Sequence, residues 1–128
     1  MTASKLKTIL VVDDEEDLLL YLSSLFSDNG YRVITAADGR EGFVKALRER
    51  PDLITLDVSM PEESGVRMFQ RLRSNEDTAG VPVIMVTGIP KDFKPLLEAL
   101  EPESAPQGFF EKPIDRDVLM NRVRQLIG

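Results

Sequence analysis

Four apolar runs in this chain each end in a polar group, and those groups carry the chemistry. Asp13-Asp14 follows Ile9-Leu10-Val11-Val12, and Asp57 follows Leu53-Ile54-Thr55-Leu56. A third run ends in Thr87-Gly88 and a fourth in Lys112-Pro113. Together they supply three carboxylates, one hydroxyl and one ammonium. Carboxylates are the ligands a hard divalent cation seeks. A cation beside an ammonium and a hydroxyl is what neutralises the oxygens of a phosphoryl group in transfer. The set can therefore hold a divalent cation and a phosphoryl group.

These residues need elements that bring them together. The pattern predicts strands over 8–12, 31–36, 53–56, 81–86 and 108–111, the first of them continuous and β-branched. Between them it predicts helices over 15–27, 40–49, 65–73 and 90–100, and a last helix capped by Asp115. Leu18, Leu22, Leu25 and Phe26 share a face of the first helix, and Phe43, Ala46 and Leu47 point inward from the second. Val118, Leu119, Arg122, Val123 and Leu126 stack along the last. Asn29-Gly30, Asp38-Gly39 and Pro51 punctuate the boundaries. Five βα units in sequence imply a doubly wound parallel five-stranded sheet with helices on both faces and right-handed crossovers. The expected class is α/β, flavodoxin-like (βα)5, with strand order 2-1-3-4-5. In that order the first, third and fourth strands are central, and their ends carry Asp13-Asp14, Asp57 and Thr87. Such sheets bind ligands at the carboxyl ends of their strands.

Composition excludes several classes. The 128 residues fit one domain, expected to span 1–128 without an effector domain, and 42% hydrophobic with 30% charged residues is ordinary globular composition. A net charge of −6 argues against a nucleic-acid surface. With no cysteine and no histidine there is no disulfide, thiolate site, Ser-His-Asp triad or phosphohistidine on this chain. The start lacks the apolar stretch of a signal peptide, and no run approaches the ~20 apolar residues of a membrane span. A cytoplasmic protein without membrane contact is expected.

At this point the residues resemble the receiver domain of the response regulators of two-component signal transduction, stand-alone chemotaxis-type regulators included. The resemblance rests on the acidic pair Asp13-Asp14, on Asp57 with Met60-Pro61 and Gly65, on Thr87-Gly88 and on Lys112-Pro113, all in order. It implies that Asp57 accepts a phosphoryl group from a partner histidine kinase, a phosphotransfer protein or a small phosphodonor, with Mg²⁺ required. It implies Asp14, Asp57 and the Ser59 carbonyl as direct metal ligands, with Asp13 acting mainly through water. Lys112 would meet one phosphoryl oxygen and the Thr87 hydroxyl another, and Lys112-Pro113 would be a cis peptide. Phe109 stands at the family's switch aromatic. By the same resemblance, Thr87 moves toward the phosphoryl group, Phe109 turns inward, and the surface of the fourth helix, fifth strand and fifth helix changes shape. The implied output is control of a downstream protein partner or passage of phosphate along a relay. The implied state is a monomer or a weak phosphorylation-dependent dimer, a bacterial signalling switch rather than an enzyme that turns over external substrate.

Each residue has a plainer role beside this one. Asp13-Asp14 could cap the following helix. Asp57 could be a loop carboxylate, Thr87 a strand-end β-former, Lys112 a solvated surface lysine, and Phe109 an ordinary core aromatic. Three carboxylates at one edge without a cation would repel one another, which favours the site. Two other functions compete. A phosphorylation-independent adaptor on this fold usually lacks part of the acidic set, which is complete here. A hydrolase of the aspartyl-phosphate type usually carries a second Asp two residues after the nucleophile, where this chain has Ser59.

Three features depart from the family pattern. Glu62-Glu63-Ser64 makes the loop beside Asp57 more acidic, which is expected to disfavour anionic small donors. Ser59 and Ile89 occupy positions that tune phosphoryl lifetime, and an apolar Ile89 is expected to slow self-dephosphorylation relative to Ile89→Glu. The proline-bearing segment 101–107 borders the expected output face. Phe93, Leu96, Leu97 and Leu100 in the fourth predicted helix are expected to divide between core and partner contact.

Overall fold

In the computed structural model, residues 6–58, 65–88 and 105–128 are described. They form β1 (Thr8–Val12), α1 (Glu16–Asp28), β2 (Arg32–Ala36), α2 (Gly39–Glu49), β3 (Leu53–Asp57), α3 (Gly65–Ser74), β4 (Val83–Thr87), β5 (Gly108–Glu111) and α4 (Arg116–Ile127). The predicted helix over 90–100, with Phe93, Leu96, Leu97 and Leu100, lies outside the described residues, as do Ser59, Glu62, Glu63 and Ile89. No helix among the described residues is long and apolar enough to cross a membrane.

All five strands are parallel, in the order β2-β1-β3-β4-β5. Every residue of β1, β3 and β4 is buried, because helices cover both faces of the central strands. One core lies against α2 and α3 and includes Leu10, Leu56, Ala46, Met68, Phe69 and Met85. The other lies against α1 and α4 and includes Ile9, Val11, Phe26, Ile84, Leu119 and Val123. Alternation along each strand feeds the two cores in turn. Thr55 lies in the middle of β3, and its buried hydroxyl has no hydrogen-bond partner.

Local signals set most boundaries. Asp38 caps α2 by accepting from the Glu41 amide at 2.8 Å, and the Glu41 carboxylate accepts from the Ala37 amide at 2.8 Å. Asn29 ends α1 and Gly30 follows at φ +91°. Arg50, at φ 51°, ends α2 one residue before Pro51.

Two expectations are corrected. β4 begins at Val83 rather than at 81: Pro82 has no amide to give the ladder, and the Val81 carbonyl accepts from the Arg73 guanidinium at 2.9 Å. In α4 the buried residues are Leu119, Met120 and Val123, whereas Val118 is exposed. Leu119, Val123 and Leu126 of the expected stack face the core, while Met120 takes the place given to Val118. The Asp115 cap is present, its carboxylate accepting from the Asp117 and Val118 amides.

A polar clamp closes the end of the sheet opposite the carboxylates. The Gln107 side-chain oxygen accepts from the Val83 amide at 2.8 Å and from Arg73 of α3 at 3.0 Å. The Gln107 carbonyl accepts from Arg122 of α4 at 2.7 Å. Helices on opposite faces of the sheet thus meet at one residue.

Candidate functional site

The site is built by extending the ladder past the strand ends. The Asp13 amide donates to the Ala36 carbonyl at 3.1 Å, Val58 to Val86 at 3.2 Å and Lys112 to Thr87 at 2.8 Å. These bonds fix the main chain of Asp13 and Lys112 and the residue after Asp57 along one edge. Asp13, Asp57 and Thr87 are buried there, and Asp14 is exposed at the rim. The Lys112-Pro113 peptide is cis.

One carboxylate oxygen from each of Asp13, Asp14 and Asp57 lies within 4.8 Å of the others. Ligands of an octahedral Mg²⁺ at about 2.1 Å stand roughly 3 to 4 Å apart, so small side-chain rotations suffice to bring three oxygens onto one ion. The donors are all hard oxygens, as that ion requires. These three carboxylates therefore fit such an ion.

Lys112 enters from β5. Its Nζ lies 3.3 Å from Asp13 Oδ2, 3.5 Å from Asp57 Oδ2 and 2.5 Å from Glu15 Oε1. Burial works against the ammonium, but the hydrogen bond to Glu15 and the charges of Asp13, Asp57 and Glu15 outweigh it, and its pKa is raised. Burial also pushes the Asp13 carboxyl up to about 6. The Asp57 charge adds to that rise, whereas the Glu15 amide, donating to Asp13 Oδ1 at 2.8 Å, and Lys112 oppose it. Among the described residues the pocket thus carries more negative charge than the Lys112 ammonium balances, which favours uptake of a divalent cation.

Of the residues singled out from the sequence, Asp13, Asp14, Asp57 and Lys112 meet at this edge, and Thr87 closes β4 beside them through the bond from the Lys112 amide. Ser59 lies outside the described residues. Phe109 is half-buried and packs against the core on the α2 and α3 side, two residues from the Gln107 clamp.

One site residue escaped the sequence reading, and a second was singled out there without its structural reason. Glu15 stands next to the acidic pair, but its contact with Lys112 spans 97 residues and needs the tertiary fold. Gly65 opens α3 directly against Asp57: a Cβ there would collide with the Asp57 carbonyl oxygen and come within 2.6 Å of the Val58 Cα. Its spacing from Asp57 was visible in the sequence, but its steric reason was not.

Comparison with known proteins agrees with this arrangement. The alkaline phosphatase synthesis transcriptional regulatory protein PhoP of Bacillus subtilis (strain 168) is 36% identical over 121 residues, covering 94% of this chain and 48% of that protein. The chain thus spans about half the length of that relative. The chemotaxis response regulator CheY4 of Vibrio cholerae superposes with a TM-score of 0.83 at 30% identity, covering 96% of this chain and 100% of that one. The CheX-CheY-BeF3-Mg²⁺ complex from Borrelia burgdorferi gives a TM-score of 0.81 at 27% identity over 95% of this chain and 90% of that one. The response regulator receiver domain family matches residues 9–124, and the chain belongs to that family.

Proposed function

We propose that the chain is one receiver unit whose Asp57 accepts a phosphoryl group in a Mg²⁺-dependent reaction and so switches a protein-binding surface. Receiver domains are signalling switches rather than enzymes that turn over an external substrate. One observation carries the reading: the buried Asp57 carboxylate lies 3.5 Å from the Lys112 ammonium, with Asp13 and Asp14 oxygens within 4.8 Å. The similar Borrelia protein was solved with BeF3 and Mg²⁺, a combination suited to the same site.

In this mechanism a carboxylate oxygen of Asp57 attacks the phosphorus of the donor. An O–P bond forms, the bond from phosphorus to the donor breaks, and the donor leaves with that electron pair. Burial strips water from Asp57 and limits competing hydrolysis. Asp13, Asp14 and Asp57, with the Ser59 carbonyl, would hold Mg²⁺, which supplies charge neutralisation to the phosphoryl oxygens. Lys112 balances charge on a further oxygen, and the Thr87 hydroxyl donates to another. The phosphoryl group adds about −1.5 to −2 charge at neutral pH. That charge draws Thr87, frees space for Phe109 and reshapes the surface around β5. Hydrolysis reverses the modification when water attacks phosphorus and the Asp57 carboxylate leaves.

The donor is a histidine kinase or phosphotransfer protein, or a small phosphodonor. The output is a protein partner or a further phosphotransfer step, with the unit a monomer or a weak phosphorylation-dependent dimer. Nucleic acid plays no part in this unit, in keeping with its net charge of −6.

Intact-mass measurement after acetyl phosphate and Mg²⁺ tests the reading. A phosphoryl adduct that disappears with EDTA and in Asp57→Asn is expected. If no adduct forms and beryllofluoride also fails to bind, the phosphoryl switch is wrong and an adaptor role on the same fold replaces it.

A further inference from the structure

Glu15 occupies the N-cap position of α1, yet its side chain makes no capping bond to that helix. A residue at this position commonly satisfies the first helical amides. Here the carboxylate reaches instead to Lys112 Nζ at 2.5 Å, closer than either Asp13 at 3.3 Å or Asp57 at 3.5 Å. Its amide meanwhile holds Asp13 Oδ1 at 2.8 Å. Glu15 is largely exposed, with 61% of its side chain accessible, while Lys112 is at 19%. Glu15 therefore sits at the mouth of the pocket, holding the lysine from its solvent side.

We infer that Glu15 is a positioning residue that competes with the phosphoryl group for Lys112, and so sets how tightly the pocket holds a phosphoryl group on Asp57. The inference rests on the phosphoryl-acceptor reading above. A lysine ammonium is a mobile point charge on a flexible stem, and it moves to the strongest nearby anion. Before phosphorylation that anion is Glu15. A phosphoryl group on Asp57 must draw Lys112 away from Glu15, and each increment of attraction to Glu15 is subtracted from the attraction to the phosphoryl group. Because Glu15 is exposed, water replaces the lysine when it leaves, so the competition is modest and reversible.

Beryllofluoride with Mg²⁺, titrated by calorimetry and by amide NMR at Thr87 and Gly88, separates binding from chemistry. Glu15→Gln keeps the side-chain length and the amide bond to Asp13 but removes the charge. It is expected to bind beryllofluoride about two- to fivefold more tightly than the native chain, the range of one partly exposed ion pair. In a double-mutant cycle the gain is expected to vanish when Lys112 is replaced by alanine. Unchanged or weaker binding in Glu15→Gln would overturn the inference. A gain that persists in the Lys112→Ala background would also overturn it, since Glu15 would then act through general charge. Failure of the native chain to bind beryllofluoride would remove the acceptor reading itself and the inference with it.

Discussion

Gly65 and the backbone of Asp57 are in direct van der Waals contact: the first residue of α3 has no room for a Cβ beside the Asp57 carbonyl. The obstacle is main chain on both sides, which cannot swing away as the tip of a side chain can. Gly65→Ala should push α3 and the end of β3 apart, at an expected cost of about 1–3 kcal/mol. Urea denaturation measures that loss. The displaced Asp57 should also label more slowly with acetyl phosphate in the fraction that remains folded.

Asp13 gives the metal-free protein a pH dependence of definite sign. Its carboxyl, ordinarily at 3.8, titrates at about 6 in the folded chain. The folded state thus holds this proton more tightly than the unfolded state does. Its contribution to stability is full below about pH 4 and is lost as pH rises through about 6, amounting to roughly 3 kcal/mol at most. Thermal unfolding in EDTA should show Tm falling across that window. Asp13→Asn should flatten the fall and raise the metal-free Tm at pH 7.5. With Mg²⁺ the native chain should regain stability above pH 6, because the ion replaces the proton, and Asp13→Asn should regain less.

Gln107 should be the least replaceable residue at the far end of the sheet. Alanine there would leave the Val83 amide without its acceptor and the Arg73 guanidinium without one of its partners. A loss of about 1–3 kcal/mol is expected, with faster hydrogen exchange at the Val83 amide. Gln107→Glu, which keeps the acceptor oxygen, should recover most of it.

The fold was legible because its signals are local and repeated. The all-buried strands Thr8–Val12 and Leu53–Asp57 read as continuous apolar runs, and Asn29-Gly30 and Asp38 mark helix ends by their own chemistry. The carboxylates, Thr87 and Lys112 were legible as well, because each closes a run that has to lie in the sheet. Glu15 and Gln107 were not. Both work through partners far along the chain, Lys112 for one and Arg73 for the other, and neither residue type announces such a contact. In α4, Val118 alone of the apolar stack was misplaced, for a related reason. Val118 is as apolar as Val123 of the same stack, and only the packing of that helix on the sheet exposes it.

The Gln107 clamp makes β5 a strand riveted at both ends. Two guanidinium groups and the Val83 amide hold it at one end, and Lys112 follows at the other. Gln107 and Lys112 amides also bond to Val83 and Thr87, so the strand cannot slide along β4 without breaking the ladder at both ends. With both ends of β5 tied to β4, a pull on the Lys112 ammonium is met by its flexible side chain and not by displacement of the strand.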